Sequence, residues 1–173
     1  RVATVPTVNG ESVVMRILAA SEPLPMEKLN FHPNVLEKIN EQVKHPHGIF
    51  LVVGPTGSGK TTTLHAVLGS INTPDKKIWT AEDPVEITQA GLQQVQMLPR
   101  IGLTFANALR AFLRADPDVI MIGEIRDSET AEIAIKAAMT GHLVLSTIHT
   151  KEASLAISRL MDMGIENYFI ADT

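Results

Sequence analysis

The sequence predicts an α/β fold in which a mainly parallel β-sheet is covered by helices on both faces. Short apolar runs recur at residues 49–53, 78–81, 119–122 and 143–147, and stretches with helical spacing separate them. Runs that are apolar at every position fit strands buried on both faces, as in parallel sheets. Their alternation with helices is typical of the crossovers that connect parallel strands.

The N-terminal residues carry a β-hairpin pattern instead. Residues 2–8 and 12–18 are two β-segments rich in valine, and Asn9-Gly10 between them is a strong hairpin signal. Residues 21–25, Ser-Glu-Pro-Leu-Pro, then interrupt regular structure because they contain two prolines. We therefore expect a hairpin followed by a linker before the main sheet.

Helical spacing is found before and between the buried runs. Apolar residues recur on one face of residues 33–43, at Val35, Leu36, Ile39 and Val43. Three further helices have capping residues or breakers at their ends. They are expected from near Thr104 to before Asp116-Pro117, from after Asp127-Ser128 to Gly141, and from after Thr150 to near Gly164.

A glycine-rich loop with the pattern G-x-x-x-x-G-K-T follows the first buried run. The helix after it has its apolar face at Leu64, Val67, Leu68 and Ile71. The amides and dipole of that helix face the loop, which is what a polyphosphate needs. Lys60 is expected to reach the terminal phosphates, and the Thr61 hydroxyl to ligate Mg²⁺. A nucleoside triphosphate is expected to contact Gly54, Pro55, Thr56, Gly57, Ser58, Gly59, Lys60, Thr61 and Thr62.

The alternative for this loop is a flexible glycine-rich turn with a chance lysine. Four fixed positions match by accident in a chain of this length at odds of roughly one per cent. The strand before the loop and the helix after it lower those odds further. A dinucleotide-binding fingerprint is disfavoured because the glycines are not spaced G-x-G-x-x-G.

The run 119–122 leads into Gly123-Glu124, which has the form of a Walker B element. Ligands bind beyond the carboxyl ends of strands in open α/β sheets, so this glutamate is well placed. Gly123 stands where an Mg²⁺-linked aspartate usually lies, which leaves Glu124 to orient water or metal. The alternative is a solvated carboxylate paired with Arg126.

The run 78–81 leads into an acidic cluster at Glu82, Asp83 and Glu86. Clustered acids repel one another unless a cation or an arginine offsets them, so Mg²⁺ or an arginine of a partner subunit is an expected neighbour. The alternative is an acidic surface turn shaped by Pro84.

The run 143–147 is bracketed by His142 and His149. Zinc is not expected, because the spacing matches no common site and the chain contains no cysteine. Each histidine is either structural or a hydrogen-bond partner of phosphate. The remaining histidines lack such a context and are expected to be structural: His32, His45, His47 and His65.

Composition excludes several classes of protein. The 173 residues, 45% hydrophobic and 20% charged, can form one substantial core and a small appendage. No run approaches the length of a membrane span and no signal peptide is recognisable. A net charge of −4 with 4% aromatic residues gives no footprint for nucleic acid. Because the chain begins at Arg1 rather than at methionine, we expect it to be a piece of a longer protein.

Four motifs together resemble the secretion ATPases of type II secretion and type IV pilus assembly. They are GPTGSGKTTTL, EDPVE, LRAFLRADPDVIMIGEIRDSETAEIAIKAAMTGHLVLSTIHT and RLMDMGIE, and with them the resemblance covers nearly the whole chain. It implies a RecA-like P-loop motor that binds ATP and Mg²⁺ and works as a homo-hexamer in the bacterial cytoplasm, peripheral at the inner membrane. The implied partners are the inner-membrane platform and cytoplasmic docking proteins of the machine, without nucleic acid.

The resemblance also implies roles for individual residues. EDPVE resembles the Asp box of the family and residues 142–149 its His box. The implied catalytic residues are Lys60, Glu124 as the Walker B glutamate and Glu82 as the water-activating base. Nucleotide contacts are implied for Glu86, His142 and His149, and for Arg1 and Arg16 as arginines of a preceding small domain. Thr61 and Glu124 are the implied metal ligands.

The same resemblance implies a division of the chain. Residues 1–20 would end a small N-terminal α+β domain, residues 21–31 would form a linker, and residues 32–173 would form a RecA-like ATPase domain truncated at its C-terminal end. The four-cysteine zinc segment of the family is missing, as expected if the chain stops before it. The DMGIE ending is more like assembly and secretion ATPases than like retraction motors.

Three other functions remain open from the sequence. A retraction motor or a hexameric nucleic-acid motor would use the same fold and the same phosphate chemistry. A nucleotide-regulated interaction module with little turnover of its own would follow if the site is completed only by neighbouring subunits.

Overall fold

The computed structural model describes residues 2–15 and 22–173. The strands are β1 (Val2–Thr7), β2 (Gly10–Met15), β3 (Gly48–Val53), β4 (Ile78–Glu82), β5 (Leu92–Gln96), β6 (Val119–Ile122) and β7 (Leu143–Ile148). The α-helices are α1 (Pro33–Gln42), α2 (Lys60–Ile71), α3 (Phe105–Phe112), α4 (Ser128–Met139), α5 (Leu155–Asp162) and α6 (Asn167–Ala171). Two 3₁₀ turns occupy Met26–Leu29 and Pro99–Ile101.

The main sheet has five parallel strands in the order β3-β7-β6-β4-β5. The carboxyl ends of β3, β7, β6 and β4 therefore lie side by side at one edge. The glycine-rich loop, His149, Glu124 and Glu82 all lie at this edge, because each follows or ends one of these strands. The predicted α/β fold with a mainly parallel sheet is confirmed.

Helices cover both faces of this sheet. Alternate residues of β6 point to opposite faces, with Ile120 and Ile122 in one buried cluster and Val119 and Met121 in the other. The first cluster includes Leu109 and Phe112 of α3, Ile135 of α4 and Leu160 of α5. The second cluster is formed with Leu64, Val67, Leu68 and Ile71 of α2 and with Val43 after α1. Buried apolar side chains on both faces explain why these strands read as continuous apolar runs.

Leu145 of β7 is a direct test of this core, since its side chain is 0% exposed. Leu145→Ala is expected to lower the free energy of unfolding of the full-length protein by about 2–5 kcal/mol, because it leaves a cavity between β7 and α2. Leu155→Ala, at a position 45% exposed on α5, is the matched control and should cost less than about 1 kcal/mol. Urea unfolding measures both, and equal losses would contradict the assigned core.

Strand β5 and helix α6 were not predicted from the sequence. Strand β5 reads Leu-Gln-Gln-Val-Gln and pairs only with β4 at the edge of the sheet, so it is half-solvated and lacks an apolar run. Helix α6 has only five residues, too few for a periodic pattern. Among residues 2–15 and 22–173, no helix has the length and apolar character needed to cross a membrane.

The N-terminal hairpin is present, with a turn one residue earlier than expected. Thr7 pairs with Gly10, so Val8 and Asn9 form the turn. Residues 16–18, predicted as the end of the second strand, lie outside the described residues.

Within the predicted linker, Met26 is buried in the same cluster as the apolar face of α2. On α1, Val35 is 45% exposed and thus lies outside the predicted apolar face.

Candidate nucleotide-binding site

The loop between β3 and α2 has a shape that requires glycine. Gly57 and Gly59 have φ values of 79° and 89°, in the left-handed region that other residues rarely adopt. A Cβ atom on Gly54 would lie 2.5 Å from Oγ of Ser58. The chain therefore curls tightly from the end of β3 into the first turn of α2.

Lys60 and the start of α2 make this loop suited to an anion. Lys60 is only 8% exposed, and its Nζ donates to the carbonyl oxygens of Gly54 at 2.9 Å and Pro55 at 2.8 Å. Gly59, the residue before the helix, supplies no side-chain cap, so the first-turn amides have no side-chain acceptor there. A buried ammonium beside such amides fits a phosphate group.

A cleft of about 480 Å³ lies at the carboxyl edge of the sheet. Four successive strand ends contribute to it, as the positions of the motifs predicted. Its lining includes Thr56, Gly57, Gly59, Lys60, Thr61 and Thr62 after β3, Glu82 and Glu86 at and after β4, Glu124 after β6, and Thr147 and His149 at and after β7.

Glu82 is a buried carboxylate at the end of β4, only 3% exposed. Its Oε1 accepts hydrogen bonds from Oγ1 of Thr80 at 2.6 Å and Nε2 of Gln94 at 3.0 Å. Its Oε2 lies 3.2 Å from Nε2 of His65. Burial alone would raise the pKa of Glu82, but the hydrogen bonds from His65, Thr80 and Gln94 outweigh burial and hold that pKa below its ordinary value. Glu82 is therefore ionised at neutral pH.

Glu124 lies across the cleft and is 8% exposed. Its Oε2 is 2.5 Å from Nε of Arg126 and 3.3 Å from Nε2 of His149, and neither contact has hydrogen-bond geometry. The pairing with Arg126 that the sequence offered as an alternative is thus present, and it coexists with the position of Glu124 in the cleft.

Close packing of the backbone around Gly123 explains why the position before Glu124 is not an aspartate. The Gly123 amide donates to the Ala81 carbonyl at 2.8 Å, and a Cβ atom there would lie 3.3 Å from that same oxygen. The nearest obstacles are backbone atoms of β4, which cannot move aside easily. A larger residue would therefore push β6 away from β4.

Four residues predicted to contact nucleotide, Gly54, Pro55, Ser58 and His142, do not line this cleft. His142 precedes β7, and its Nδ1 lies 3.0 Å from the Ala137 carbonyl. The length of β7, about 20 Å from its six residues, separates His142 from the carboxyl edge, where the nucleotide is expected to bind. Arg1 and Arg16 lie outside the described residues.

His65, expected from the sequence to be merely structural, contacts Glu82 at the carboxyl edge of the sheet. The side chain is 0% exposed, and its Nδ1 lies 3.2 Å from Oε1 of Gln89. One signal was present: His65 is four residues after Thr61, so it lies one helical turn further along α2 on the same side. Its partners come from distant segments, which no local pattern reveals.

The residues present fit a magnesium ion that is held mainly by phosphate oxygens. Within the part of the chain that the structure describes, no three His, Asp or Glu side chains are grouped as a metal site. Mg²⁺ in phosphate-binding sites keeps several waters and takes one or two protein ligands besides the phosphates. Thr61 and Glu124 line the cleft and meet that requirement.

The family model for type II/IV secretion system proteins matches residues 1–173. The chain belongs to this family. The resemblance drawn from the motifs is thereby confirmed over residues 1–173.

Individual relatives agree with this assignment. Type II secretion system protein E of Xanthomonas campestris is 56% identical over 174 residues, which cover 100% of this chain and 31% of that protein. The type IV pilus assembly ATPase PilB of Thermus thermophilus is 55% identical over 172 residues, which cover 99% of this chain and 19% of that protein. The chain of this secretion system protein therefore spans less than a third of the length of these two relatives.

Solved structures share the fold. The pilus retraction motor PilT with bound ADP superposes with a TM-score of 0.79 at 37% identity, over 98% of this chain and 49% of that chain. The Legionella pneumophila ATPase DotB superposes with a TM-score of 0.77 at 29% identity, over 98% of this chain and 48% of that chain. These neighbours confirm the RecA-like fold class of this secretion system protein.

Proposed function

We propose that this chain is the nucleotide-binding part of a Mg²⁺-dependent ATP-hydrolysing motor of a bacterial type II secretion or type IV pilus assembly system. The observation that carries the proposal is the cleft at the carboxyl edge of the sheet. There a glycine loop with a buried lysine faces a buried, ionised carboxylate, Glu82. Phosphoryl transfer needs a group that holds the phosphates and a group that orients the attacking water.

Each residue of the cleft has a role in this proposal. Lys60 and the loop amides hold the phosphates, and Thr61 and Glu124 hold Mg²⁺, which when bound neutralises charge on the phosphate oxygens. Glu82 accepts a hydrogen bond from the attacking water. A carboxylate with a lowered pKa is a weak base, so its main contribution is to aim the water. This suffices for a loose transition state, in which little proton transfer precedes bond cleavage.

The proposed motor role rests on relatives that align with this chain along nearly all of its length. Proteins named type II secretion system protein E or type IV pilus assembly ATPase are 49–58% identical to this chain over 98–100% of its length. By analogy we propose a homo-hexamer in the bacterial cytoplasm, held peripherally at the inner membrane by platform and docking proteins. Arg1 and Arg16 would reach the terminal phosphate when a small N-terminal domain, residues 1–20, closes over the cleft across the linker 21–31.

Assembly is favoured over retraction by the degree of identity. The retraction motor PilT is 37% identical to this chain, lower than the identity of the assembly and secretion proteins. A nucleic-acid motor on the same fold is disfavoured by the net charge of −4.

The test is ATP turnover by the purified full-length protein. Turnover is expected to require Mg²⁺ and to be unaffected by single-stranded DNA. Thr61→Val should raise the Mg²⁺ concentration for half-maximal turnover by at least about tenfold, because it removes a hydroxyl from the cation. Thr63→Val, two positions along the same helix and outside the cleft lining, is the matched control. Turnover that needs DNA, together with salt-sensitive DNA binding, would contradict the proposal.

A further inference from the structure

A buried histidine connects the phosphate-loop helix to the catalytic edge of the sheet. His65 of α2 is fully buried, with Nε2 3.2 Å from Oε2 of Glu82 and Nδ1 3.2 Å from Oε1 of Gln89. Gln89 lies in the segment between β4 and β5. The imidazole ring is therefore fixed at both nitrogens, and it bridges two segments of the chain.

The proton positions follow from what each partner can do. An ionised Glu82 only accepts hydrogen bonds, so the proton on this contact belongs to Nε2 of His65. At Nδ1, either the ring donates to the Gln89 carbonyl oxygen or the Gln89 amide, turned over, donates to the ring. Both arrangements leave the Nε2–H of His65 directed at Glu82.

The hydrogen bonds of Glu82 leave one acceptor position unused. A carboxylate has about four lone-pair positions, two on each oxygen. Both positions on Oε1 are taken by Thr80 and Gln94, and one position on Oε2 is taken by His65. The carboxylate lines the cleft, so its remaining acceptor position is the one that a bound water can use.

We propose that His65 is a positioning residue that fixes the Glu82 carboxylate so that Oε2 presents its single free acceptor position to the attacking water. The inference rests on the proposed function of this cleft. With three donors in place the carboxylate cannot rotate, and its position relative to the phosphate loop is set through α2 itself. The other titratable or charged groups that line the same cleft are Lys60, Asp83, Glu86, Glu124, Arg126 and His149.

The main experiment compares two substitutions in the full-length hexamer. His65→Phe keeps an aromatic ring but removes the donor, and it is expected to lower kcat by about 10- to 100-fold with little change in KM for ATP. Loss of this hydrogen bond also raises the pKa of Glu82, so the acid limb of the pH profile of kcat should move to higher pH. His65→Gln, whose amide can donate to Glu82, should recover most of the kcat. His47→Phe, at an exposed position, is the matched control.

A second variant covers the case in which His65→Phe does not assemble. Gln89→Met removes the partner of Nδ1, and it is expected to shift the acid limb in the same direction with a smaller fall in kcat. An unchanged kcat and pH profile in an assembled His65→Phe or Gln89→Met protein would overturn the inference. So would equal losses in His65→Phe and His65→Gln with an unmoved pH profile, because that result indicates a packing role.

A Glu82→Gln variant, measured beside these, separates failure of this inference from failure of the proposed function. If Glu82→Gln abolishes turnover while His65→Phe leaves it unchanged, only the role of His65 is wrong. If Glu82→Gln leaves turnover unchanged, the proposed role of Glu82 is wrong, and the inference about His65 falls with it.

Discussion

Lys60→Ala is expected to weaken ATP binding to the full-length protein by about 30- to 3,000-fold, and turnover at low ATP should fall in proportion. The ammonium is buried in the loop and is held by two backbone carbonyls, so it is aimed where the phosphates of ATP would lie. Removing it takes away a charge that is only 8% exposed, where electrostatic interactions are stronger than in open water. Equilibrium binding of a fluorescent ATP analogue measures the loss.

A matched lysine is available as a control for this prediction. Lys136 on α4 is exposed and pairs with Glu132 one helical turn away. Lys136→Ala removes the same charge from the chain at a surface position, where ion pairs contribute little. Affinity for ATP should be unchanged in Lys136→Ala, and a similar loss in both variants would show that Lys60 acts only through net charge.

Glu82→Gln is expected to lower the rate of ATP hydrolysis by about 100- to 10,000-fold while ATP binding is retained. The amide has nearly the same shape as the carboxylate, but its nitrogen donates hydrogen bonds and carries no charge. The remaining acceptor position on this side chain, beside the phosphates, is therefore lost or replaced by a donor. Glu132→Gln, on the exposed face of α4, is the control substitution. Wild-type turnover in Glu82→Gln would exclude Glu82 as the residue that orients the water.

The parts of the fold that were predictable are those that a continuous pattern in the sequence reveals. The run 119–122 coincides with β6 because a strand buried on both faces must be apolar at every position. Strand β4 extends one residue beyond the predicted run, to Glu82, since a polar residue can finish a buried strand at a functional edge. Strand β5 was missed because an edge position does not require an apolar run.

The candidate site also has a part that the sequence predicts and a part that it does not. The glycine loop was predictable because all its parts are adjacent in the sequence. The contact of His65 with Glu82 was not, because it joins residues 17 apart on different elements. The misplacement of His142 was avoidable: a residue before a parallel strand lies at the amino edge of the sheet, opposite the edge where ligands bind.

The most direct test of the divided roles in this cleft is to measure ATP affinity and single-turnover hydrolysis side by side in Lys60→Ala and Glu82→Gln. We expect Lys60→Ala to lose affinity, whereas Glu82→Gln should bind ATP within about threefold of the wild type and hydrolyse it far more slowly. Hydrolysis of bound ATP by Glu82→Gln at the wild-type single-turnover rate, or binding of ATP by Lys60→Ala as tight as that of the wild type, would contradict these roles.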